Sequence, residues 1–206
     1  KGGSMIFFDG GGAPNARRVR IYLSEKGIDI PMKVIDIMKG EHKTAEYKKI
    51  SPLSQVPSLE LDDGFCITES IAICRYFEAL HPEPNLMGAN PLEIAKIEMW
   101  QRRLELLLMA PIAAVFRHGH PAMAHLEDQV LDWSESNRPK VINFLRWLDK
   151  QMKGKRFICL DRFTLADITA LTCFEFSKWP KINIPDDCQN LKNYYEMLLG
   201  RPSASA

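Results

Sequence analysis

Apolar positions in the first eighty residues change period several times. Met5 to Phe8 is a short apolar run that ends at Asp9-Gly10-Gly11-Gly12, a strand running into a loop free to bend. Ala13-Pro14-Asn15 then opens a helix whose apolar face is Val19, Ile21, Tyr22 and Leu23, closed by Gly27 after Lys26. Pro31 to Ile37 is rich in β-branched residues and predicts a second strand, and so short a crossover argues for a parallel pair. Lys39 to Lys49 is polar, with room for one helical turn. Two further apolar runs, Val56 to Leu61 and Phe65 to Thr68, flank Asp62-Asp63-Gly64 and predict a β-hairpin that passes into a helix beginning near Ser70. The order is β-α-β-α-β-β-α.

His81 to Asn90 breaks the pattern with prolines, a glycine and asparagines, and reads as a linker. Beyond it the apolar period is helical throughout. Pro91 to about Arg117 carries Ile94, Ile97, Leu104, Leu107, Leu108 and Ile112, with a bend expected at Pro111. Leu126 to Met152 predicts a second long helix with a kink near Pro139. Thr164-Leu165-Ala166-Asp167 before Ile168-Thr169-Ala170-Leu171 has the capping-box spacing and is read as structural. A last helix spans about Gln189 to Leu199. The predicted organisation is a mixed α/β domain over 5–81, a linker over 82–90 and an all-α domain over 91–202.

Composition narrows the partners. The 206 residues are 46% hydrophobic, ample for a core, and a net charge of +1 gives no long-range reason to expect nucleic acid or a membrane surface. Five cysteines lack any Cys-x-x-Cys pair and sit among apolar residues or at segment edges, which reads as reduced thiols in a reducing compartment and not a disulfide framework or a metal site. With no apolar run of membrane-spanning length and no secretory leader evident, a cytoplasmic protein is expected. Lys1-Gly2-Gly3-Ser4 ahead of Met5 reads as a remnant of expression and is set aside. The three glycines after the first strand lack the Gly-x-Gly-x-x-Gly and Gly-Lys-Ser/Thr patterns, so they are read as a flexible turn.

Candidate chemistry gathers between Ile50 and Tyr76. Pro57 cannot donate to a sheet ladder and is placed at the start of its strand, leaving the backbone of Val56 able to pair with a bound peptide. Ser70 opens a helix whose free N–H groups attract a carboxylate, and Glu69 can accept from an ammonium group. One extended ligand with an amino-acid head and a peptide backbone would satisfy all of these groups.

Ser51-Pro52-Leu53-Ser54-Gln55-Val56-Pro57-Ser58-Leu59 followed by Thr68-Glu69-Ser70 resembles the glutathione-binding signature of the cytosolic glutathione transferases, and the likeness extends through the helical second half. It implies a thioredoxin-like first domain with the Pro57 peptide in cis, an all-α second domain, glutathione as co-substrate, no metal, and a homodimer. It also implies binding by Gln55 to the glycine carboxylate, by the Val56 backbone beside Pro57 to the cysteinyl residue, and by Glu69 and Ser70 to the γ-glutamyl head. Glu41-His42-Lys43 resembles the plant-type motif in which His42 and Lys43 meet the glycine carboxylate. Ser54 stands where glycine is common.

In that family a hydroxyl or a cysteine just after the first strand activates the thiol. Aligning Arg17-Arg18-Val19 with the serine-type pattern puts Ala13 at that place, without a hydroxyl. Ala13-Pro14-Asn15 is similar to fungal nitrogen-regulator and bacterial nu-type relatives, in which the asparagine faces the sulfur. An amide N–H favours a thiolate over a thiol, and lowering a free thiol near pKa ~8.5 by one unit is worth roughly 1.4 kcal/mol. Asn15 could equally only cap its helix; the resemblance favours the catalytic role. Arg117-His118-Gly119-His120 invites a metal or acid–base reading, but histidines two apart on a helix do not face together, and the stretch is read as a helix terminus beside Phe116.

The expected activity is transfer of glutathione to a small apolar electrophile approaching the helix Pro91 to Phe116. The alternatives are a glutathione-dependent disulfide or peroxide reductase and a non-catalytic glutathione-binding module.

Overall fold

The structure, a computed structural model, describes residues 4–206, so Lys1 to Gly3 lie outside it. The described residues divide into two compact units, 4–86 with Pro202–Ala206, and Met87–Arg201.

The first unit is built on a four-stranded sheet in the order β2-β1-β3-β4, with β1 at Ile6–Asp9, β2 at Met32–Val34, β3 at Ser58–Glu60 and β4 at Cys66–Thr68. The β1–β2 pair is parallel, as the short crossover requires, while β1–β3 and β3–β4 are antiparallel. Alternation assigns the faces. Phe7 and its cross-strand partner Leu59 are fully buried on the side of α1 (Pro14–Lys26) and α3 (Ser70–Leu80). Phe8 points the other way and meets the ring of Tyr47, on the short helix α2 (Tyr47–Ile50), edge-on at 5.9 Å, with Ile35 beside them. The second strand is shorter than the Pro31 to Ile37 run suggests. All three of its residues are exposed at the sheet edge, and the chain leaves after Val34 into the turn that places residues 41–43.

Polar groups fix the ends of these elements. Gly27, at φ 65°, closes α1 by donating to Leu23 and Ser24 carbonyls, a left-handed cap that costs glycine little. Along α1, Arg18, Tyr22 and Lys26 lie on one face and are all buried. The Lys26 ammonium pairs with Glu78 of α3 at 2.6 Å and donates to the carbonyls of His81 at 2.7 Å and Pro84 at 2.6 Å. Glu78 also accepts from Tyr22 and from Leu86 N at 2.9 Å. Burial first, and then the Glu78 carboxylate, push the Tyr22 phenol far above its ordinary pKa.

The second unit is helical, as the period indicates. Asn90 caps α4 (Pro91–Leu104), accepting from Glu93 N at 3.0 Å, while Glu93 accepts from Ala89 N at 2.9 Å. The Arg162 fork on the same carboxylate holds Glu93 at about 2. Just before Pro111 the helix widens: Glu105–Met109 is a π-helical segment, with Ala110 N donating five residues back to Glu105, and the chain continues as α5 (Ala110–Gly119). Pro111 has no N–H to give and its ring crowds the carbonyl four residues earlier, so a wider turn accommodates it.

The next long helix, α6 (Leu131–Gln151), starts five residues later than Leu126. Pro121–Met123 forms a separate tight turn, and the entry to α6 is fixed by Val130 N donating to His118 Nδ1 at 3.1 Å. The helix continues through Pro139. α7 (Leu165–Ser177) carries both halves of the Thr164–Asp167 capping box, and α8 (Gln189–Leu199) has the predicted limits. The tail then rejoins the first unit, where Arg17 donates to Ala204 O at 2.7 Å and Ser203 to Glu25 at 2.5 Å.

Candidate active site

Sheet register brings one set of residues together. The antiparallel pairs Phe8↔Ser58 and Ser58↔Thr68 put the end of β1, the start of β3 and the end of β4 at the same edge of the sheet. From that edge emerge the loop leading to Asn15, the Gln55-Val56-Pro57 segment and the Glu69-Ser70 entry to α3. The β1–α1 loop touches the second of these closely. A β-carbon built on Gly10 would stand 2.4 Å from Val56 Cγ2.

The loop is held from outside by Arg20, which pairs with Asp9 and donates to Gly11 O at 2.8 Å, while Gly11 takes φ +57°. Pro14 occupies the first turn of α1, where its missing N–H costs nothing, and Ala13 offers no side-chain cap. Asn15 is exposed there, and its Oδ1 accepts from the buried Arg18 guanidinium. The Val56–Pro57 peptide is cis. Pro57 is buried, and among the described residues the Val56 N–H and C=O take no backbone hydrogen bond.

Upstream, Ser54 lies at φ 56° with its N–H on Ser51 O, and Gln55 N donates to Ser51 Oγ at 3.1 Å. Tyr47 donates to Gln55 O at 2.9 Å and lies 3.1 Å from Ser58 Oγ, so the Gln55 backbone is pinned while its side chain is exposed. Glu69, exposed, takes φ 70° and ψ 117°, a combination that costs a residue with a β-carbon about 1–3 kcal/mol and is met most often at functional sites. Its carbonyl accepts the first helical bond, from Ile73, and the preceding N–H groups of α3, beginning with that of Ser70, point out of the helix.

His42 and Lys43 sit on the 3₁₀ turn after β2 and join the group indirectly, that turn packing on α2, whose Tyr47 anchors Gln55. Lys43 is exposed, whereas His42 is buried and its Nδ1 has no partner among the described residues. Burial, and secondarily the Lys43 ammonium, lower the His42 pKa, so its imidazole is neutral near pH 7 and keeps one N–H to donate. Sequence reasoning missed Gly10, Arg18 and Arg20. The signal for Arg18 was in view: a basic residue three positions after Asn15, on the stripe it shares with Tyr22 and Lys26.

Other candidates resolve as scaffold. His118 and His120 each spend Nδ1 on a backbone N–H, of Val130 and Ala122, and Gln129 donates to Arg117 O and His120 O, so the Arg117-His118-Gly119-His120 stretch ends α5. All five cysteines are free, and burial raises Cys74 to about 12 and Cys159 to about 11, far from a thiolate at neutral pH. Among the described residues no three His, Cys, Asp or Glu side chains cluster as metal ligands, and no helix is long and apolar enough to cross a membrane.

A thioredoxin-like unit with a cis-proline strand entry, joined to an all-helical unit, is the glutathione transferase fold. Sequence models of the glutathione S-transferase N-terminal and C-terminal domains match residues 13–80 and 114–202. The chain belongs to the glutathione S-transferase family, which makes it an enzyme of the transferase class in a family that uses glutathione as co-substrate. It is similar to Glutathione S-transferase 2 of Saccharomyces cerevisiae, 34% identical over 203 residues, covering 97% of this chain and 87% of the relative. The crystal structure of Gtt2 from Saccharomyces cerevisiae matches with a TM-score of 0.91 at 34% identity, covering 97% of this chain and 98% of that one. A glutathione S-transferase domain-containing protein from Marinobacter aquaeolei VT8 gives 0.90 at 35% identity, covering 96% and 98%.

Proposed function

We propose that the protein conjugates glutathione to small apolar electrophiles, with the thiolate held by the Asn15 carboxamide at the first turn of α1. Glutathione lies along the sheet edge. Its cysteinyl backbone pairs with Val56 beside Pro57, its γ-glutamyl carboxylate meets the open N-terminus of α3 at Ser70, and its ammonium meets Glu69. The glycine carboxylate is taken by Lys43 and Gln55, with the neutral His42 donating beside them. The observation that carries this reading is the meeting of Asn15, the unpaired Val56 backbone and the bare α3 terminus at one edge.

The sulfur attacks the electrophilic carbon, the leaving group departs with its electron pair, and no covalent enzyme intermediate is needed. The chain supplies orientation and stabilisation of the anion. Because Ala13 offers no hydroxyl, reduction of a weak S–S or O–O bond by a moderately stabilised thiolate is the competing activity, and glutathione binding without turnover is a third outcome. Halogenated nitroarene, organic hydroperoxide and mixed glutathione disulfide assayed in parallel separate them. Asn15→Ala is expected to lower kcat/KM for conjugation about tenfold, the value of one thiol pKa unit, with folding intact. An unchanged kcat/KM removes Asn15 from the mechanism.

The reading includes a homodimer in the cytoplasm. The free cysteines suit a reducing compartment. On the second unit, Leu106 and Leu107 of the π segment and Trp133 of α6 are exposed around an apolar cleft of about 590 Å³. A second copy would cover this face, and a net charge of +1 opposes that little. Leu107→Glu is expected to shift sedimentation from dimer to monomer; a wild-type profile would place the interface elsewhere.

A further inference from the structure

Arg18 heads the fully buried side chains by size, at 1% exposed, and it lies one helical turn from the proposed thiol-activating group. An arginine stays charged at every accessible pH, and burying its guanidinium costs several kcal/mol unless hydrogen bonds offset the loss of water. A leucine or methionine would fill the same space without that cost. The guanidinium donates through Nη2 to Asn15 Oδ1, and the i, i+3 spacing on α1 stacks the two side chains.

That contact decides what Asn15 presents to a ligand. A carboxamide carries its acceptor on one side and both N–H donors on the other. Left alone, it turns over at little cost, and in one of the two orientations it offers an oxygen that repels a thiolate. With Oδ1 committed to Arg18, the Nδ2 hydrogens are left on the side of the carboxamide away from that guanidinium. A bond from a cation to the oxygen also polarises the amide and strengthens what its N–H groups donate. Cys74 of α3, within electrostatic reach of Arg18, stays a neutral thiol, and Tyr22, Lys26 and Glu78 are engaged with one another.

We propose that Arg18 is a positioning residue for thiol activation: it locks the Asn15 carboxamide with its N–H donors toward the sulfur of glutathione and passes part of its positive charge through the amide. This rests on the role given to Asn15 above, and the two are separable by experiment.

The measurement is the pKa of the bound glutathione thiol, from pH titration of thiolate absorbance in the binary complex and from the pH profile of kcat/KM. Arg18→Met is expected to raise that pKa by about one unit, a loss of about tenfold in kcat/KM below it, with glutathione affinity changed less than about twofold. Asn15→Asp, which keeps a partner for Arg18 and replaces the donor by an anion, is expected to raise it too. In an Asn15→Ala background Arg18→Met is expected to add nothing, since the two residues act in series.

An unshifted thiol pKa in folded Arg18→Met, together with a shift in Asn15→Ala, overturns this inference and leaves the function standing. No shift in Asn15→Ala overturns the role of Asn15 itself, and this inference with it. Should Arg18→Met not fold, Arg18→Lys decides: its thiol pKa is expected to rise when Asn15 is present and not when position 15 is alanine. Equal shifts in both backgrounds overturn the inference, because Arg18 would then act by a route that bypasses the amide.

Discussion

Asp167→Ala is expected to lower the stability of the second unit by about 3–5 kcal/mol, a large share of the ~5–15 kcal/mol that a domain has in reserve. The carboxylate is fully buried at the start of α7 and joins three parts of the unit. Its Oδ2 accepts from Thr164 N at 2.9 Å and Thr164 Oγ1 at 3.3 Å, closing the helix cap. Its Oδ1 accepts from Ile158 N at 3.0 Å, in the preceding loop, and from the Tyr194 hydroxyl of α8 at 2.6 Å. Burial raises the pKa of this group, and all four donors act against that rise by favouring the anion. Alanine would leave two buried N–H groups and two buried hydroxyls without this acceptor, at about 1–3 kcal/mol each before relaxation. Asp167→Asn keeps one oxygen and turns an N–H₂ toward donors, so its denaturant midpoint is expected between wild type and alanine. An unfolding free energy for Asp167→Ala within about 1 kcal/mol of wild type would show that the loop, α7 and α8 are held by apolar packing alone.

This hub illustrates what the sequence could convey. Thr164-x-x-Asp167 is a local pattern and was legible, but the Ile158 and Tyr194 contacts arise from tertiary packing that no spacing encodes. The same division runs through the fold. The hairpin at Asp62-Asp63-Gly64 forms as its turn chemistry requires, with Gly64 at φ 86° and Leu61 paired to Phe65. By contrast, β2 is cut to three residues, Met32, Lys33 and Val34, which lie at an exposed edge where burial does not reward extension, while Ile35 beyond it is buried against Phe8 and Tyr47. The π segment is invisible in the leucine pattern, since one extra residue per turn only shifts which leucines face out. The burial of Arg18 and Lys26 is hidden for a related reason: a hydrophobic period counts both as solvent-facing, whereas here they are buried beside Tyr22, Lys26 paired with Glu78 and bonded to the carbonyls of His81 and Pro84, and Arg18 bonded to Asn15. Asn15, Val56, Glu69 and Ser70 were named from chemistry and resemblance, yet only the register of β1, β3 and β4 shows that they emerge at one edge.

Gly10→Ala tests whether that edge is assembled as described, and it is expected to weaken glutathione binding at least about tenfold while costing about 1–3 kcal/mol of stability. The three glycines after β1 read alike in sequence, but Gly10 and Gly11 differ in what they do. Gly11 needs its left-handed φ of +57° and has space around it, the nearest neighbour of an added β-carbon being Val34 Cγ1 at 4.0 Å. Gly10 needs no special backbone angle. It is there because a β-carbon would meet Val56 Cγ2 at 2.4 Å, Ala13 Cβ at 3.0 Å and Val56 Cβ at 3.1 Å. A new Val56 rotamer could withdraw Cγ2 but not Cβ, so the backbone on one side has to yield. Either movement reaches the site: Val56 carries the proposed peptide contact, and Ala13, whose N–H bonds to Gly10 O at 3.1 Å, leads into Asn15. Gly11→Asn serves as the control, because asparagine tolerates the left-handed region and the space is open; calorimetry is expected to find its glutathione affinity near wild type. Wild-type affinity in a folded Gly10→Ala protein would mean that Val56 and the β1–α1 loop do not form a single binding surface.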